Sequence, residues 1–503
     1  MAVHEVLPPG LSDAEFELAL AEFRQVLGDA WVMTDPERLI PYRRIMIPAE
    51  DDAYAPSGVL SPASVEQVQA VLAVCNRRKV PVWPISTGRN FGYGSAAPAT
   101  RGQMILDLKR MNRIIEVDAE MGTALVEPGV TYRQLQDHLK AHDIPLWLDF
   151  PGPGPIVGPV GNTLERGGGN TPYGDHFAMS CGMEVVLADG RILRTGMGSL
   201  PNSTSWQVFK YGYGPYLDGI FTQSNFGVVT KLGMWLMPAP AGALTILVQF
   251  WDEADFPRAV DAVRRLRLDG TMHNVGVMAN ANIMLTGMMK KADLHQGPGA
   301  VPQDRLLAAA KEHGLAPWNV IFSLYGSPER IAADLKTATE TFEKAGGKMI
   351  PGIHDGSQVN ELGLSSFSLL NWVGGGGLSW FAPVSPARGS DAVRQRDMAR
   401  TILAEHGFDY LAAPTLNGRD MHHLVAMVFD RNDPEQKRQA KACFDELVTE
   451  FGKQGYGLYR VGIDFMDQLA GIYGQTNREV NRAIKRALDP NGILAPGKSG
   501  IRL

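Results

Sequence analysis

Pro84–Ala96 reads PISTGRNFGYGSA, and the rest of the chain is arranged around it. It follows a short apolar run, Val80–Trp83, that reads as a buried strand, and Ser86, Gly88, Gly92 and Gly94 keep it slender. Glycines so close together let the backbone take positive φ and bring several N–H groups towards one point. Successive N–H groups aimed that way form an anion nest, suited to a pyrophosphate. Taken alone, the stretch is equally an ordinary glycine-rich connection. Its surroundings decide.

Working outward, Val59–Leu60 reads as a strand, Ser64 with Gln67 as a capping box, and Val65, Val68, Val71, Leu72 and Cys75 as one helical face. Val80–Trp83 then returns as a strand, so strand, helix, strand and glycine loop come in the order of an α/β nucleotide site. Upstream, residues 11–28 carry a helical apolar pattern. Downstream, Met104–Leu108 and Thr123–Glu127 read as strands, and Thr131 with Gln134 caps a helix running through Leu135 and Leu139. Pro151–Gly169 is too rich in Gly and Pro for regular structure and reads as a loop packed against a ligand. Met183–Leu187 and Ile192–Thr195 flank Ala188-Asp189-Gly190 as a hairpin. Small and polar residues mix again in Gly219–Lys231.

A different pattern begins around Pro238–Pro240. Strands are expected at Thr245–Trp251, Trp318–Tyr325, Trp380–Val384, Asp409–Thr415 and His422–Phe429, and helices at Phe256–Leu266, Pro328–Ala345 and Asp391–His406. Strands and helices alternating over an antiparallel-looking sheet predict an α+β chain with a second domain. The expected division is 1–240, 241–455 and a C-terminal segment, 456–503, with a helix at Asn477–Ala487.

The 503 residues exceed what one hydrophobic core serves. Net charge is −6 with Lys and Arg scattered, which speaks against a nucleic-acid partner. No apolar run is long enough to span a membrane. The start, MAVHEVLPPG, has neither the basic nor the apolar region of a secretory signal. A cytoplasmic location is expected, with the periplasm left open. Cys75, Cys181 and Cys443 are far apart and fit no metal or redox spacing, so buried free thiols are expected.

Three motifs carry chemistry. Gly492–Ser499 (GILAPGKS) satisfies the P-loop pattern, yet only four residues follow Ser499, leaving no helix to face a phosphate. Lys498 then faces either an anionic ligand or water. In Arg419–His423 (RDMHH), a strand would set His422 and Asp420 on one face and His423 on the other. A histidine beside a carboxylate suits acid–base work, and a structural histidine is the plainer alternative. A metal is not expected, since no third ligand lies at sensible spacing. Tyr459-Arg460 sits in GYGLYRVG and suits a phenolate or carboxylate, because Arg donates in a fixed fork and Tyr adds one bond. The plainer reading is a core tyrosine beside a surface arginine.

Together these pieces resemble the vanillyl-alcohol oxidase and 4-cresol methylhydroxylase flavoproteins over nearly the whole chain. PISTGRNFGYGSA is similar to the family's pyrophosphate loop, and the run GPVGNTLERGGGNTPYGDHFAMSC from Gly158 to its flavin-contacting core. DGIFTQSNFGVVTK, WFAPVSPARGSD, RDMHHLV, YRV and DPNGILAPGKSGI follow in the family's order. GPVGNT, FAPVSPARGS and RDMHH resemble the cresol-hydroxylase flavoprotein chain more than the oxidases. The resemblance implies a two-domain FAD-binding PCMH-type fold with an antiparallel-sheet cap, FAD held in the N-terminal domain, and a para-alkylphenol substrate. Implied cofactor-binding positions are Ser86, Thr87, Gly88, Arg89, Asn90, Gly92, Gly161, Asn162, Gly167, Gly227, Val229 and Lys498. Implied catalytic positions are Tyr93, Tyr459 and Arg460 around the phenolate oxygen, and His422 assisting water.

The chain also departs from the family. Leu378 and Leu370 occupy the positions of the oxidases' linking histidine and the hydroxylases' linking tyrosine, so FAD is expected to be non-covalent. Gly152 replaces the oxidases' aspartate, with Asp149 three residues earlier, and Ala413 replaces a hydroxylase glutamate. The expected reaction is hydride loss from the benzylic carbon of a 4-cresol, alkylguaiacol or eugenol-type phenol, then hydration or desaturation. Oxidation of 4-hydroxybenzylic alcohols to aldehydes is the alternative enzyme, and a decayed flavin-binding electron-transfer subunit the non-enzyme. Oxygen or a c-type cytochrome is the expected acceptor, and a homodimer the expected assembly.

Overall fold

The computed structural model describes residues 4–152, 154, 156–355 and 368–503, with the side chains of residues 351 and 353–355 left aside. Positions 153 and 155 of the Pro151–Gly169 stretch therefore lie outside the described residues.

The N-terminal part holds two sheets. In the first, Gly58–Leu60, Met104–Asp107 and Val82–Ile85 run parallel, with Val32–Met33 antiparallel at the edge. Met104–Asp107 lies between the two strands that the helix Val65–Arg78 connects. That helix buries Val68, Val71, Leu72 and Cys75 against Phe16, Leu20 and Phe23 of the helix Asp13–Leu27. Ser64 caps it by accepting from the Gln67 N–H at 3.3 Å, but Gln67 reaches back to the Ala63 N–H at 2.7 Å, so the predicted box is only half formed. The second sheet is antiparallel, in the order Ile114–Asp118, Thr123–Val126, Val228–Trp235, Ser180–Val186, Ile192–Arg194. The last two form the predicted hairpin.

The next part is built on a seven-stranded antiparallel sheet whose central strands include Ala243–Phe250, Trp318–Tyr325 and Gly276–Asn280. Ile246, Val248 and Phe250 alternate inward onto Ala259, Val260 and Val263 of the helix Phe256–Leu268. Thr245 and Ser323 share a hydrogen bond of 2.9 Å from the adjacent register positions. The chain is α+β, as its pattern predicts.

Three predicted strands are divided, two of them at a proline. Trp380–Val384 becomes Gly377–Phe381 in a three-stranded sheet and Val384–Pro386 at the edge of the seven-stranded one, with Pro383 between. Asp409–Thr415 likewise splits on either side of Ala413-Pro414, since proline gives a ladder no N–H. His422–Phe429 breaks after His422. Pro151–Gly169 is not wholly irregular: it contains the helix Pro159–Leu164, started by a proline whose missing N–H costs nothing there. The helix Pro434–Lys453 lies outside the expected elements; Asp433 before Pro434 is its capping signal and accepts from the Glu435 and Gln436 N–H groups.

The chain's end returns to the start. Leu494 bridges in parallel to Val82, the Val82 N–H donates to Ile493 O at 2.8 Å, and the Ala495 N–H donates to Val82 O at 2.7 Å. Fully buried Lys485 and Asp489 pin this segment. Lys485 Nζ donates to the Asn225 and Leu494 carbonyls, and Asp489 accepts from the Ile493 and Leu494 N–H groups.

Candidate active site

The glycine loop leaves the strand Val82–Ile85 and turns back on itself. Gly88, Gly92 and Gly94 have φ of 69°, 75° and 118°, and Ser95 55°. The Tyr93 and Ser95 N–H groups both donate to Asn90 O, which folds the turn, and the Ile463 N–H donates to Tyr93 O at 3.1 Å. A Cβ on Gly94 would lie 2.8 Å from Ile463. The loop is thus joined to the segment carrying Tyr459 and Arg460.

Between the loop and its surroundings lies a cavity of about 380 Å³. Ser86, Thr87, Gly88, Arg89 and Asn90 line it, with Gly161, Asn162 and Gly167 from the short helix and its exit, Gly227 and Val229 from the strand Val228–Trp235 and its approach, and Lys498. These side chains and glycines come from sequence separations of several hundred residues. The cavity needs its glycines. A Cβ on Gly158 would meet Ser86 Oγ at 2.3 Å, and one on Gly161 would meet Ser86 Cβ at 2.9 Å. Gly92 is the exception among the expected positions. It is not on the cavity wall but faces Trp380 and Leu378, where a Cβ would lie 2.5 Å from Trp380 Cδ1.

Tyr93, Tyr459 and Arg460 share one wall. The Arg460 guanidinium carbon lies 4.1 Å from the centre of the Tyr93 ring, and Tyr459 lies beside Tyr93 on the same wall. Burial first, then the neighbouring Tyr459, push the Tyr93 hydroxyl well above the usual phenol range, although Arg460 opposes this. Tyr93 therefore remains a proton-bearing donor. Arg460 Nη2 donates to Asn90 Oδ1, while its buried Nε–H has no hydrogen-bond acceptor.

His422 departs from its expected place. It is not on the cavity wall but stacks on Tyr459, with ring centres 4.7 Å apart and planes 23° apart. Its Nε2 lies 3.2 Å from Asp420 Oδ2, while His423 is buried on the opposite face, so the predicted strand facing holds. Asp149 does not face the cavity either: its carboxylate accepts from the Thr171 N–H at 2.5 Å and pairs with His176 at 3.0 Å. The three cysteines are free and buried. GILAPGKS ends in a three-residue 3-10 turn, so the Lys498 chemistry is that of the cavity wall.

One cavity residue escapes the sequence reading. Glu165 ends the helix Pro159–Leu164, accepts a hydrogen bond from Lys498 Nζ, and lies 3.9 Å from Arg460 Nε. Burial raises its carboxyl, but Lys498 and then Arg460 outweigh this and hold it below the usual carboxylate range.

Comparison with known proteins decides the family. The model described as an FAD binding domain matches residues 56–196, and that of the C-terminal domain of FAD linked oxidases matches residues 245–499. The 4-cresol dehydrogenase (hydroxylating) flavoprotein subunit of Pseudomonas putida is 48% identical, over 99% of this chain and 98% of its own. The chain belongs to the vanillyl-alcohol oxidase and 4-cresol methylhydroxylase flavoprotein family. A structure of p-cresol methylhydroxylase with substrate bound superposes with a TM-score of 0.96 at 48% identity, covering 99% of both chains. The isoeugenol complex of 4-ethylphenol oxidase from Gulosibacter chungangensis gives 0.94 at 33% identity, again over 99% of both. This member of the family therefore has its two-domain FAD-binding PCMH-type fold and is an FAD-dependent oxidoreductase. The residues present fit FAD. Glycines keep the cradle open, and at its wall buried Asn225 has an Oδ1 without a protein donor.

Proposed function

We propose that the protein oxidises para-alkylphenols at the benzylic carbon, holding the phenol as phenolate against Tyr93, Tyr459 and Arg460. The observation that carries this reading is that two tyrosines and an arginine whose buried Nε–H is free share one wall of the glycine-lined cavity. Hydrogen bonds to an anion and a nearby positive charge both lower a phenol's pKa. Because Tyr93 keeps its own proton, it donates to the ligand rather than competing as an anion. A phenolate pushes electron density to its para carbon, so loss of a hydride there leaves a neutral quinone methide. Addition of water gives a benzylic alcohol, and proton loss from a longer chain gives an alkene.

Ser86–Asn90, Gly161, Asn162, Gly167, Gly227, Val229 and Lys498 would hold FAD. Bound there, it supplies a two-electron acceptor for the hydride. Leu370 packs in an apolar cluster with Trp372, and Leu378 is buried there beside Gly92; neither can bond to a flavin, which favours a non-covalent cofactor. His422, stacked behind Tyr459, supports that ring rather than reaching a water in the cavity. The Pseudomonas putida relative is named as a subunit, which favours a protein electron acceptor such as a c-type cytochrome over oxygen. No helix among the described residues is long and apolar enough to cross a membrane. Anaerobic addition of 4-ethylphenol tests the reading: the flavin absorbance should bleach. If only vanillyl alcohol bleaches it, the benzylic-alcohol alternative replaces this one, and if no phenol does, the protein is a binder.

A further inference from the structure

Among the described residues, Glu165 is a carboxylate on the cavity wall that contacts both Lys498 and Arg460 and for which the mechanism above has no use. Its Oε1 accepts from Lys498 Nζ, and its Oε2 lies 3.9 Å from Arg460 Nε. Arg460 in turn covers the Tyr93 ring and donates through Nη2 to Asn90, so Glu165 competes with any ligand for the guanidinium's field. The backbone enforces the arrangement. Gln223 Nε2 donates to both Glu165 O at 3.3 Å and Tyr459 O at 2.8 Å, tying the carboxylate's segment to the one that carries Tyr459-Arg460. Glu165 therefore offsets part of the positive charge that Lys498 and Arg460 bring to this wall.

We propose that Glu165 is a positioning residue that sets how readily a bound phenol ionises, by fixing Lys498 and drawing off part of the Arg460 field. The inference rests on the phenol reading above. Glu165 keeps the site from holding every anion indiscriminately: without it, two cations would face the ligand in a cavity where little water screens them. Arg166, hydrogen-bonded to Thr222, also contributes to the field at Glu165, and the His422–Asp420 pair lies behind Tyr459. Those groups are unchanged in the variants below and cancel between them.

The test is the pH dependence of 4-bromophenol binding to the FAD-loaded protein, followed by the phenolate difference spectrum. This ligand has no benzylic hydrogen to lose. In Glu165→Gln the pH at which the bound phenol ionises should fall by about one unit, which is roughly tenfold tighter binding below the free phenol's pKa. Lys498→Met should move it the opposite way, because Glu165 is then left to Arg460 alone. Glu165→Asp, which keeps the charge, should stay near wild type. Damage to the fold would not shift two variants in opposite directions. An unchanged or raised ionisation pH in Glu165→Gln, or Glu165→Asp behaving like Glu165→Gln, overturns the inference. If Glu165→Gln fails to fold, Lys498→Met decides, and a fall or no change there overturns it. Absence of any phenol binding by wild type overturns instead the phenol reading on which the inference stands.

Discussion

Arg460 has the most to lose at the scale of single residues, because its charge, its stacking on Tyr93 and its free Nε–H all bear on one atom of the ligand. Arg460→Met should lower kcat/KM for 4-ethylphenol by about 10²–10³, the usual effect of removing a donor to developing or fixed negative charge in a dry site. Tyr459→Phe removes one bond to an anion, worth about 1.5–3 kcal/mol, or roughly 10- to 100-fold. Rapid-reaction flavin reduction without oxygen checks both. Equal losses in the two variants would mean that the guanidinium acts only as another hydrogen-bond donor. Tyr93 and the Tyr459-Arg460 pair are legible in the sequence as residues of the right chemistry. Glu165 is not, because a carboxylate in a glycine-rich stretch looks like any solvated charge until its partners, Lys498 and Arg460, arrive from the far end of the chain. His422 is legible as the neighbour of Asp420, but its position behind Tyr459 depends on where the strand breaks.

At the scale of elements, the antiparallel sheet beside the cavity is joined across three strands by one buried carboxylate. Glu184 on the strand Ser180–Val186 meets Lys231 at 2.9 Å and Arg194 at 3.0 Å, and accepts from Thr230 Oγ1 at 3.2 Å. Burial works to raise its carboxyl, but the bonds from Lys231 and Arg194 outweigh this and hold it below the usual carboxylate range. A depressed folded value means stability present above the unfolded value of about 4.3 and lost as pH falls through the folded one. Glu184→Gln should therefore cost about 1–2 kcal/mol at pH 7, at the low end for charge-assisted bonds because Arg194 is half exposed. Urea unfolding at pH 7 and at pH 3 should show the gap to wild type closing at the lower pH. A constant gap would locate the effect in packing. The pattern of apolar residues is enough to place these strands, since period-two alternation is local. It does not place the helix Pro159–Leu164, where glycine and proline mask a single turn and a half that packing holds in place, nor the strand breaks at Pro383 and Pro414, where residues that read as one run enter two sheets.

For the whole molecule, the cavity exists because the chain's end returns to its beginning. Leu494 pairs with Val82, Ile463 with Tyr93, and Lys498 with Glu165. Motif order along the chain is enough to recognise such a molecule, because long matching stretches in sequence carry more weight than any one loop. Their meeting in space is not legible from spacing. Acid precipitation tests the cofactor's attachment: the yellow colour should stay in the supernatant, as non-covalent FAD, and colour retained in the pellet would mean a linkage at a residue other than Leu370 and Leu378. The most direct measurement is a crystal structure of the FAD-loaded protein with 4-bromophenol bound. The phenol oxygen should lie within hydrogen-bonding distance of the Tyr93 and Tyr459 hydroxyls and the Arg460 guanidinium; an oxygen turned away from all three would contradict both the substrate class and the mechanism.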